Sequence, residues 1–245
     1  MALSSDETTR YARHLVLKGF GGAAQQALKV SRVLVVGAGG LGSPAIAYLA
    51  AAGVGTLGIV DDDEVALSNL QRQVLHRTDA LGVNKAESAR HFVAALNPHV
   101  DVVAHAEHLD TANAGRLVGA YDVILDGTDN LAARRAVAAA CEAAGLPLVC
   151  GAVSMFDGQL TVLAPHLTRP DGRQVPRFAD LYPEEADDAD LPSCEATGIL
   201  GPLTGVIGAL MAMEAVKLIT GVGAPLIGRL LLYDGRSGRF TEVEL

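Results

Sequence analysis

The sequence predicts an α/β fold with a Rossmann-like, doubly wound sheet, parallel in its front half and antiparallel in a C-terminal extension. Three observations support this prediction. Between residues 31 and 155, short apolar runs alternate with segments of helical periodicity, which is typical of a parallel sheet covered by helices. The first apolar run ends in glycines, in the segment VLVVGAGGLG at 33–42. After residue 157 an apolar run follows without room for a crossover helix, so it must pair antiparallel.

The N-terminal segment is predicted to be helical. Ser4 and Glu7 have the spacing of a capping box, and the glycines at 19, 21 and 22 end the first helix. A short second helix is expected over 23–30.

Strands and helices then alternate along the chain. Gly53 ends the first helix of this part, and Pro98 marks the end of the next. The predicted strands are 33–37, 56–61, 100–109, 121–129 and 146–153, and the helices between them are 43–53, 84–96, 111–120 and 131–144.

After the fifth strand the alternation stops. We expect an antiparallel strand over 158–165, a buried helix over 202–220, and a hairpin of 230–234 with 239–245. Segment 166–192 lacks periodicity, contains prolines and the acidic run EEADDAD, and is expected to be a mobile loop. We therefore expect a single domain over 1–245, with N-terminal helices in 1–30, a nucleotide-binding half in 31–155 and the antiparallel extension in 156–245.

Composition excludes several classes of function. With a net charge of −9, the chain is a poor candidate for sequence-independent nucleic-acid binding. The N-terminus lacks a signal-peptide pattern and the apolar stretches are shorter than a membrane span, so we expect a cytoplasmic protein without membrane partners. The three cysteines are odd in number and none has C-x-x-C spacing, which argues against a disulfide framework and a cysteine-built zinc site; Cys141 and Cys150 are predicted to be core residues.

The glycine-rich segment indicates a nucleotide site. Gly37, Gly39 and Gly42 have G-x-G-x-x-G spacing between a predicted strand and a predicted helix. Asp61 follows about 20 residues later, where an acidic residue binds a ribose. This combination is compatible with NAD as well as with ATP.

The residues after the second strand favour a triphosphate. Arg72, in the block SNLQRQ at 68–73, and Lys85 are cations that suit phosphate oxygens, and Asn69 could add a neutral donor. The alternative is that Arg72 and Lys85 are ordinary surface charges.

The segment LDGTDN at 125–130 follows a third predicted strand. A carboxylate beside phosphates repels them unless it holds Mg²⁺, so we predict that Asp129 is a magnesium ligand. The alternative is that Asp129 or Asn130 only caps the helix that follows.

Together with further segments of the sequence, these motifs resemble those of the MoeB/ThiF family, bacterial relatives of ubiquitin-activating enzymes. The resemblance covers nearly all of the chain. The segments that carry the resemblance are RYARHLVL (10–17), GAGGLG (37–42), SNLQRQ (68–73), NKAESA (84–89), LNPHV (96–100), GTDN (127–130), GAVSMFDGQLTV (151–162), CEATGILGPLTGVIG (194–208) and MEAVKL (213–218).

The resemblance implies an adenylyltransferase. Family members use Mg²⁺ and ATP to adenylate the C-terminal glycine of a small ubiquitin-like sulfur-carrier protein of the ThiS/MoaD type, with release of pyrophosphate. Asp61 would then bind the ribose, and Asp129 would bind Mg²⁺. The residues implied to contact the nucleotide or its phosphates are Gly37, Gly39, Gly40, Leu41, Gly42, Asp63, Ser68, Asn69, Gln71, Arg72, Lys85, Thr128 and Asn130.

The resemblance also implies a homodimer, in which Arg13 reaches the ATP of the partner; on sequence alone Arg13 is equally a surface residue. Cys194 matches a cysteine that in some members takes part in sulfur transfer or in a covalent link to the carrier, the alternative being a small residue without a chemical role. A sulfurtransferase or cysteine desulfurase would be a further partner.

The chain departs from the family pattern in one respect. Members commonly carry C-x-x-C pairs that bind zinc, and the chain lacks them, so we expect no zinc. Segment 166–192 matches the loop under which the carrier tail passes. Two other functions stay open: an NAD(P)-binding oxidoreductase, and a relative that adenylates a tRNA-borne or peptide carboxylate.

Overall fold

In the computed structural model, which describes residues 2–169, 172–183 and 198–245, the strands form one eight-stranded mixed sheet. The strand order is β3-β2-β1-β4-β5-β6-β7-β8, parallel from β3 through β5 and antiparallel from β5 to β8. The strands are β1 Arg32–Val36, β2 Thr56–Val60, β3 Asp101–His105, β4 Val123–Asp126, β5 Leu148–Ser154, β6 Asp157–Leu163, β7 Arg229–Asp234 and β8 Arg239–Glu244. The predicted fold class is confirmed, including the change to antiparallel pairing after β5.

The helices cover both faces of the sheet. They are α1 Ser5–Arg10, α2 Ala12–Leu15, α3 Gly21–Val30, α4 Gly42–Ala52, α5 Lys85–Leu96, α6 Ala114–Val118, α7 Leu131–Ala144, α8 Phe178–Leu181 and α9 Gly201–Thr220. Val33 and Val35 of β1 pack with α4, α5 and α9, whereas Leu34 and Val36 pack with α6 and α7. A central parallel strand buried on both faces needs this continuous apolar sequence.

Helix α9 is apolar enough, by length and composition, to pass as a membrane span. In the fold it lies on the sheet beside α4, β5 and β6, with Ile207 and Met211 fully buried. Its buried Glu214 is paired with Lys217 and accepts a hydrogen bond from the Leu226 backbone at 2.8 Å. The predicted buried helix is therefore a core helix.

The predicted first helix is divided in two by Tyr11. Its ring is buried against Gly53, and its hydroxyl accepts a hydrogen bond from Asn97 at 2.9 Å. The chain leaves helical geometry at Tyr11, which has φ −95° and ψ 16°. This long-range contact was not visible in the sequence, whereas the capping box of Ser4 and Glu7 is present as predicted.

Glu7 should give the fold a pH-dependent contribution to stability. Its carboxylate accepts bonds from Lys29 Nζ at 2.6 Å and Ser4 N at 2.7 Å, and these hold the pKa of Glu7 at about 2. Because the folded-state pKa is depressed, this stability is present above pH 4.5 and is lost as the pH falls toward 2. In urea unfolding, Glu7→Gln should therefore lower the free energy of unfolding near pH 7 and converge with the parent chain toward pH 2.

The matched control is Asp6→Asn, which removes an exposed acid of the same helix turn. Exposed substitutions of this kind change stability by less than about 0.5 kcal/mol. If the free energy of unfolding of Glu7→Gln stayed below that of the parent chain by the same amount from pH 7 to pH 2, the pH-dependent contribution assigned to Glu7 would be contradicted.

Segment 166–192 is more ordered in its described part than the sequence predicts. Residues 178–181 form helix α8, Phe178 is buried against α7, and Asp180 accepts a hydrogen bond from the Arg177 backbone at 2.8 Å. The sequence analysis did not predict this short helix, because one buried aromatic side chain anchors a turn too short to show periodicity. Residues 170, 171 and 184–197 lie outside the described residues, so the predicted mobility stays untested.

Candidate functional site

A cavity of about 580 Å³ opens at the carboxyl ends of the parallel strands. It is bordered by the segments that follow β1, β2, β3 and β4 and by the end of β5. In the sheet, β1 lies between β2 and β4, so the strand order reverses at β1. This is the topological switch point at which ligands bind in open α/β sheets. The predicted residues that border it are Gly37, Gly39, Gly40, Leu41, Asp61, Asp63, Arg72, Lys85, Thr128, Asp129 and Asn130.

The glycine loop between β1 and α4 depends on close backbone approach. Gly37 has φ +89°, and a Cβ there would lie 3.1 Å from the Gly127 carbonyl oxygen. The loop is fixed from outside: Ala38 N donates to Asp61 at 2.7 Å, and Ala38 O accepts from His76 Nε2 at 2.8 Å. The N-terminus of α4 therefore faces the cavity with little side-chain bulk, the arrangement that binds phosphates.

Gly42 does not border the cavity, although the sequence places it in the fingerprint. It is buried, and a Cβ there would overlap the Gly37 carbonyl oxygen, so its role in the structure is close packing of α4 beneath the loop.

Gly42→Ala should distort the loop because the overlapping atom belongs to the backbone. We expect a loss of about 1–3 kcal/mol in the free energy of unfolding, as for overpacking, together with weaker nucleotide binding. Urea unfolding and calorimetric titration with ATP measure the two effects. Gly22→Ala in α3 is the matched control, since a Cβ there meets nothing within 4 Å. Equal behaviour of the two variants would contradict this packing role.

Asp61 lies between the glycine loop and the loop after β2. Its carboxylate accepts from Ala38 N at 2.7 Å and from Asp63 N at 3.0 Å. Burial raises the pKa of Asp61, while the charge of Lys85 and the two backbone N–H groups oppose that shift. Each oxygen keeps a lone pair, so a ribose hydroxyl could still donate to this carboxylate.

The two predicted cations reach the cavity by different routes. Lys85, at the start of α5, is buried and its Nζ lies 2.7 Å from the exposed Asp63 carboxylate. Arg72 is partly exposed, and its Nη1 donates to the Ser68 carbonyl at 3.2 Å. The alternative of an ordinary surface charge is wrong for Lys85, which is buried. For Arg72 the phosphate role stays a prediction, supported by the fact that both cations border one cavity with the glycine loop.

Three other residues of the SNLQRQ block for which the resemblance implies nucleotide contacts, Ser68, Asn69 and Gln71, do not border the cavity. Ser68 and Gln71 are exposed. Asn69 is buried, and its Oδ1 accepts from Ala66 N at 3.4 Å. Their predicted contacts with the nucleotide stay predictions.

The loop after β4 shows which of its two polar residues caps helix α7. Asn130 Oδ1 accepts from Ala133 N at 2.8 Å and is the N-cap of α7. Thr128 donates through its backbone N–H and its hydroxyl to the buried Asp126, at 3.0 and 2.7 Å. Asp129 is exposed, borders the cavity and has no hydrogen bond or ion pair of its carboxylate within the described ranges. It is therefore available to a ligand.

Arg13 and Cys194 are not brought to this cavity by the described structure. Arg13 is exposed on α2 and does not border the cavity, and Cys194 lies outside the described residues. Cys141 and Cys150 are buried as predicted, and burial raises the pKa of Cys150 well above its usual range. Neither thiol is a nucleophile at neutral pH.

The described residues are better suited to an Mg²⁺ ion bound together with a nucleotide than to a metal ion held by protein side chains alone. Among them no group of three or more His, Cys, Asp or Glu side chains could hold a metal ion. Mg²⁺ bound together with a nucleotide needs only one or two carboxylates, with phosphate oxygens and waters completing its shell. Asp129 meets that requirement, and the expectation that zinc is absent stays a prediction.

A family model described as the ThiF family matches residues 11–245. The chain belongs to the ThiF family. This confirms the resemblance inferred from the sequence motifs.

Curated relatives of this ThiF-family chain are similar over its whole length. "Probable adenylyltransferase/sulfurtransferase MoeZ" of Mycobacterium tuberculosis is 49% identical over 244 residues, 100% of the chain and 62% of MoeZ. "SAMP-activating enzyme E1" of Haloferax volcanii is 46% identical over 245 residues, 99% of the chain and 88% of that protein. "Adenylyltransferase and sulfurtransferase MOCS3" of Drosophila grimshawi is 45% identical over 243 residues, 99% of the chain and 53% of MOCS3. The chain thus spans less than two thirds of MoeZ and about half of MOCS3.

Solved structures share the fold of this ThiF-family chain. PaaA superposes with a TM-score of 0.81 at 26% identity, covering 99% of the chain and 75% of PaaA. E. coli MccB, in a crystal structure with ATP, superposes with a TM-score of 0.83 at 21% identity, covering 98% of the chain and 72% of MccB. The MccB likeness concerns the fold alone.

Several residues that border the cavity were missed by the sequence analysis: Asp62, Gln73, Glu107, His108, Arg134 and Tyr182. Gln73 stands inside the quoted SNLQRQ block, and Arg134 lies four residues after the cap of α7 on its inner face, so both carried a local signal. Tyr182 carried none, because only tertiary structure brings segment 172–183 to the carboxyl ends of the strands.

Proposed function

We propose that this ThiF-family chain uses ATP to adenylate the C-terminal glycine of a small ubiquitin-like sulfur-carrier protein. The observation that carries the proposal is one cavity in which the glycine loop, the cations Arg72 and Lys85, and the available carboxylate of Asp129 lie together. The names of the relatives support it, since MoeZ and MOCS3 are named adenylyltransferases and sulfurtransferases and the Haloferax volcanii relative is named a SAMP-activating enzyme E1.

The glycine-loop end of the cavity would bind the nucleotide. Asp61 would accept from the ribose, the N-terminus of α4 would face the phosphates, and Arg72 and Lys85 would neutralise them. For Lys85 this requires that Nζ share its three protons between Asp63 and a phosphate oxygen. Mg²⁺ held by Asp129 would supply charge neutralisation and orientation of the phosphates.

Adenylyl transfer to the carrier carboxylate would then need positioning rather than a general base. The carrier carboxylate is ionised at neutral pH, so its oxygen attacks the α-phosphorus directly. A bond from that oxygen to phosphorus forms, the bond from the α-phosphorus to the bridging oxygen breaks, and pyrophosphate leaves with the electron pair. Arg72 and Lys85 would stabilise the charge that develops on the phosphate oxygens.

The assembly is part of the same proposal. The chain would act in the cytoplasm as a single-domain adenylation unit, without zinc, in a homodimer to which Arg13 of α2 contributes across the interface. The exposure of Arg13 is compatible with that role. Sulfur would then come from a sulfurtransferase or cysteine desulfurase, and Cys194 is the candidate for a covalent link to the carrier.

Exchange of radiolabelled pyrophosphate into ATP tests the reaction. Exchange that depends on both Mg²⁺ and a carrier ending in Gly-Gly is expected. Exchange supported by a short peptide instead of the carrier would move the assignment to another carboxylate. Tight binding of NAD without Mg²⁺, with no binding of ATP, would contradict the proposal and favour an oxidoreductase.

A further inference from the structure

Arg134 is a buried cation that the proposed reaction leaves without a role. It projects from α7 to the border of the cavity and is only 6% exposed. Its Nε donates to the Thr128 carbonyl at 3.2 Å, and its Nη2 donates to the Gly151 carbonyl of β5. One side chain thus ties the loop after β4 to the end of β5.

The charge of Arg134 is balanced inside the protein by Asp126. The Asp126 carboxylate is fully buried, and its Oδ2 lies 3.5 Å from Arg134 Nε. Burial opposes the charged form of Arg134, but the Asp126 carboxylate, together with Cys150 and Tyr182, outweighs this effect, so the pKa of Arg134 is raised. The same carboxylate holds Thr128 through two hydrogen bonds. Thr128, which immediately precedes Asp129, is therefore held from both sides by this ion pair.

Tyr182 brings a second segment into this network. Its side chain lies beside the Arg134 guanidinium, and its hydroxyl oxygen accepts from Gln159 Nε2 of β6. Burial raises the pKa of Tyr182, so the hydroxyl stays protonated at neutral pH.

The segment that carries Tyr182 is anchored on α7. Phe178 stacks on Tyr182 with ring centroids 4.8 Å apart, Arg135 Nη2 donates to the Pro183 carbonyl at 2.8 Å, and Arg177 pairs with Glu142 at 3.2 Å. Tyr182 is thus held at a defined place on the cavity wall.

The cavity has a second end beyond the phosphate region. Ser154 of β5, Asp157 and Gln159 of β6, Leu232 of β7 and Tyr182 border it there, on the antiparallel part of the sheet. Under the proposed function, the nucleotide fills the glycine-loop end. The acyl substrate must then reach the α-phosphate through this second end.

We propose that Arg134 is a positioning residue that links this second end of the cavity, through Tyr182, to the loop that carries Asp129. The proposal rests on the proposed function for the identity of the acyl substrate. Its physical content is a chain of contacts: Tyr182 to the guanidinium, the guanidinium to Asp126 and the Thr128 carbonyl, and the Thr128 backbone to Asp129. Displacing Tyr182 changes the geometry with which Asp129 meets Mg²⁺, and the reverse holds by linkage.

Conservative variants test the link without leaving Asp126 as an unpaired buried charge. Tyr182→Phe removes only the hydroxyl. Arg134→Lys keeps the charge but loses the fork that spans the Thr128 and Gly151 carbonyls and faces Tyr182. In calorimetric titrations of the chain with ATP at varied Mg²⁺, both variants should raise the Mg²⁺ concentration for half-maximal binding, Tyr182→Phe by about 3- to 10-fold, the net size of one typical polar contact.

The double variant distinguishes a link from two separate contacts. Because Tyr182 acts through Arg134, Tyr182→Phe should add little to the Mg²⁺ midpoint of Arg134→Lys, so the two effects should be non-additive. In pyrophosphate exchange, Tyr182→Phe should also raise the KM for the carrier. Tyr48→Phe, an exposed tyrosine of α4, and Arg77→Lys, an exposed arginine, are the matched controls.

Variants that lower the melting temperature but leave the Mg²⁺ midpoint and the carrier KM unchanged would overturn the proposal and reduce Arg134 to a structural residue. Additive effects would overturn the link. A parent chain that binds Mg²⁺ and ATP with the expected variant shifts, but shows no carrier-dependent exchange, would overturn the proposed function and leave the link intact. A parent chain that binds no ATP would overturn both.

Discussion

Asp129→Ala should reduce carrier-dependent pyrophosphate exchange on the order of 10²- to 10³-fold, the size expected when one preorganised electrostatic contact is lost. The reason is positional. Asn130 caps α7, so Asp129 is not required for the helix, and its exposed carboxylate borders the cavity. Folding should be preserved, and calorimetry should show that ATP binding no longer responds to Mg²⁺. Chelation of Mg²⁺ with EDTA should reduce exchange in the parent chain in the same way.

Asp79→Ala is the matched control for Asp129, because Asp79 is 69% exposed and pairs only with the neighbouring Arg77 among the described residues. Exchange by this variant should equal that of the parent chain. Near-normal exchange by Asp129→Ala would contradict a role of this carboxylate in the mechanism. Asp129 would then be only a structural residue of the loop after β4.

Arg72→Ala should lower exchange by roughly 10²-fold, because a guanidinium that neutralises phosphate oxygens is lost from a partly desolvated site. Arg72→Lys should recover only part of this loss, since an ammonium cannot bind two oxygens in one plane. Steady-state exchange at varied ATP separates the effect on KM for ATP from the effect on the maximal rate.

Arg77→Ala controls for the loss of a positive charge, since Arg77 is 76% exposed and belongs to the same connection between β2 and α5. It should leave exchange unchanged. Full activity in both Arg72→Ala and Lys85→Ala would contradict the phosphate assignments, even if the family reaction were present.

The sequence predicted the fold in detail because its local signals agree with the tertiary structure. Helix α7 begins and ends where predicted, between the Asn130 cap and Gly145 in the left-handed region. Strand β6 pairs antiparallel with β5 because only the tight connection at Met155–Phe156 separates them. Such features depend on residues that are close in sequence, so they can be predicted from one amino-acid sequence.

Predictions were weaker where one residue could serve two purposes. The G-x-G-x-x-G spacing did not distinguish Gly42, which packs under the loop, from Gly39, which borders the cavity. In the SNLQRQ block, Arg72 and Gln73 reach the cavity whereas Ser68 and Gln71 do not. The block begins in a short 3₁₀ turn at Leu67–Asn69, which no periodic pattern in the sequence predicts.

By itself, the sequence predicted the α/β fold, a candidate nucleotide site at the ends of β1, β2 and β4, and the resemblance to the ThiF family that the family model confirms. These follow from apolar periodicity, glycine spacing and polar residues directly after strands, all of which are local in the chain. Only the tertiary structure decided that Asn130 rather than Asp129 caps α7, and that Arg134, Asp126 and Tyr182 form one buried network. The physical reason is that these assignments depend on which side chain satisfies which buried partner. Such partners are brought together by packing between segments that are distant in sequence.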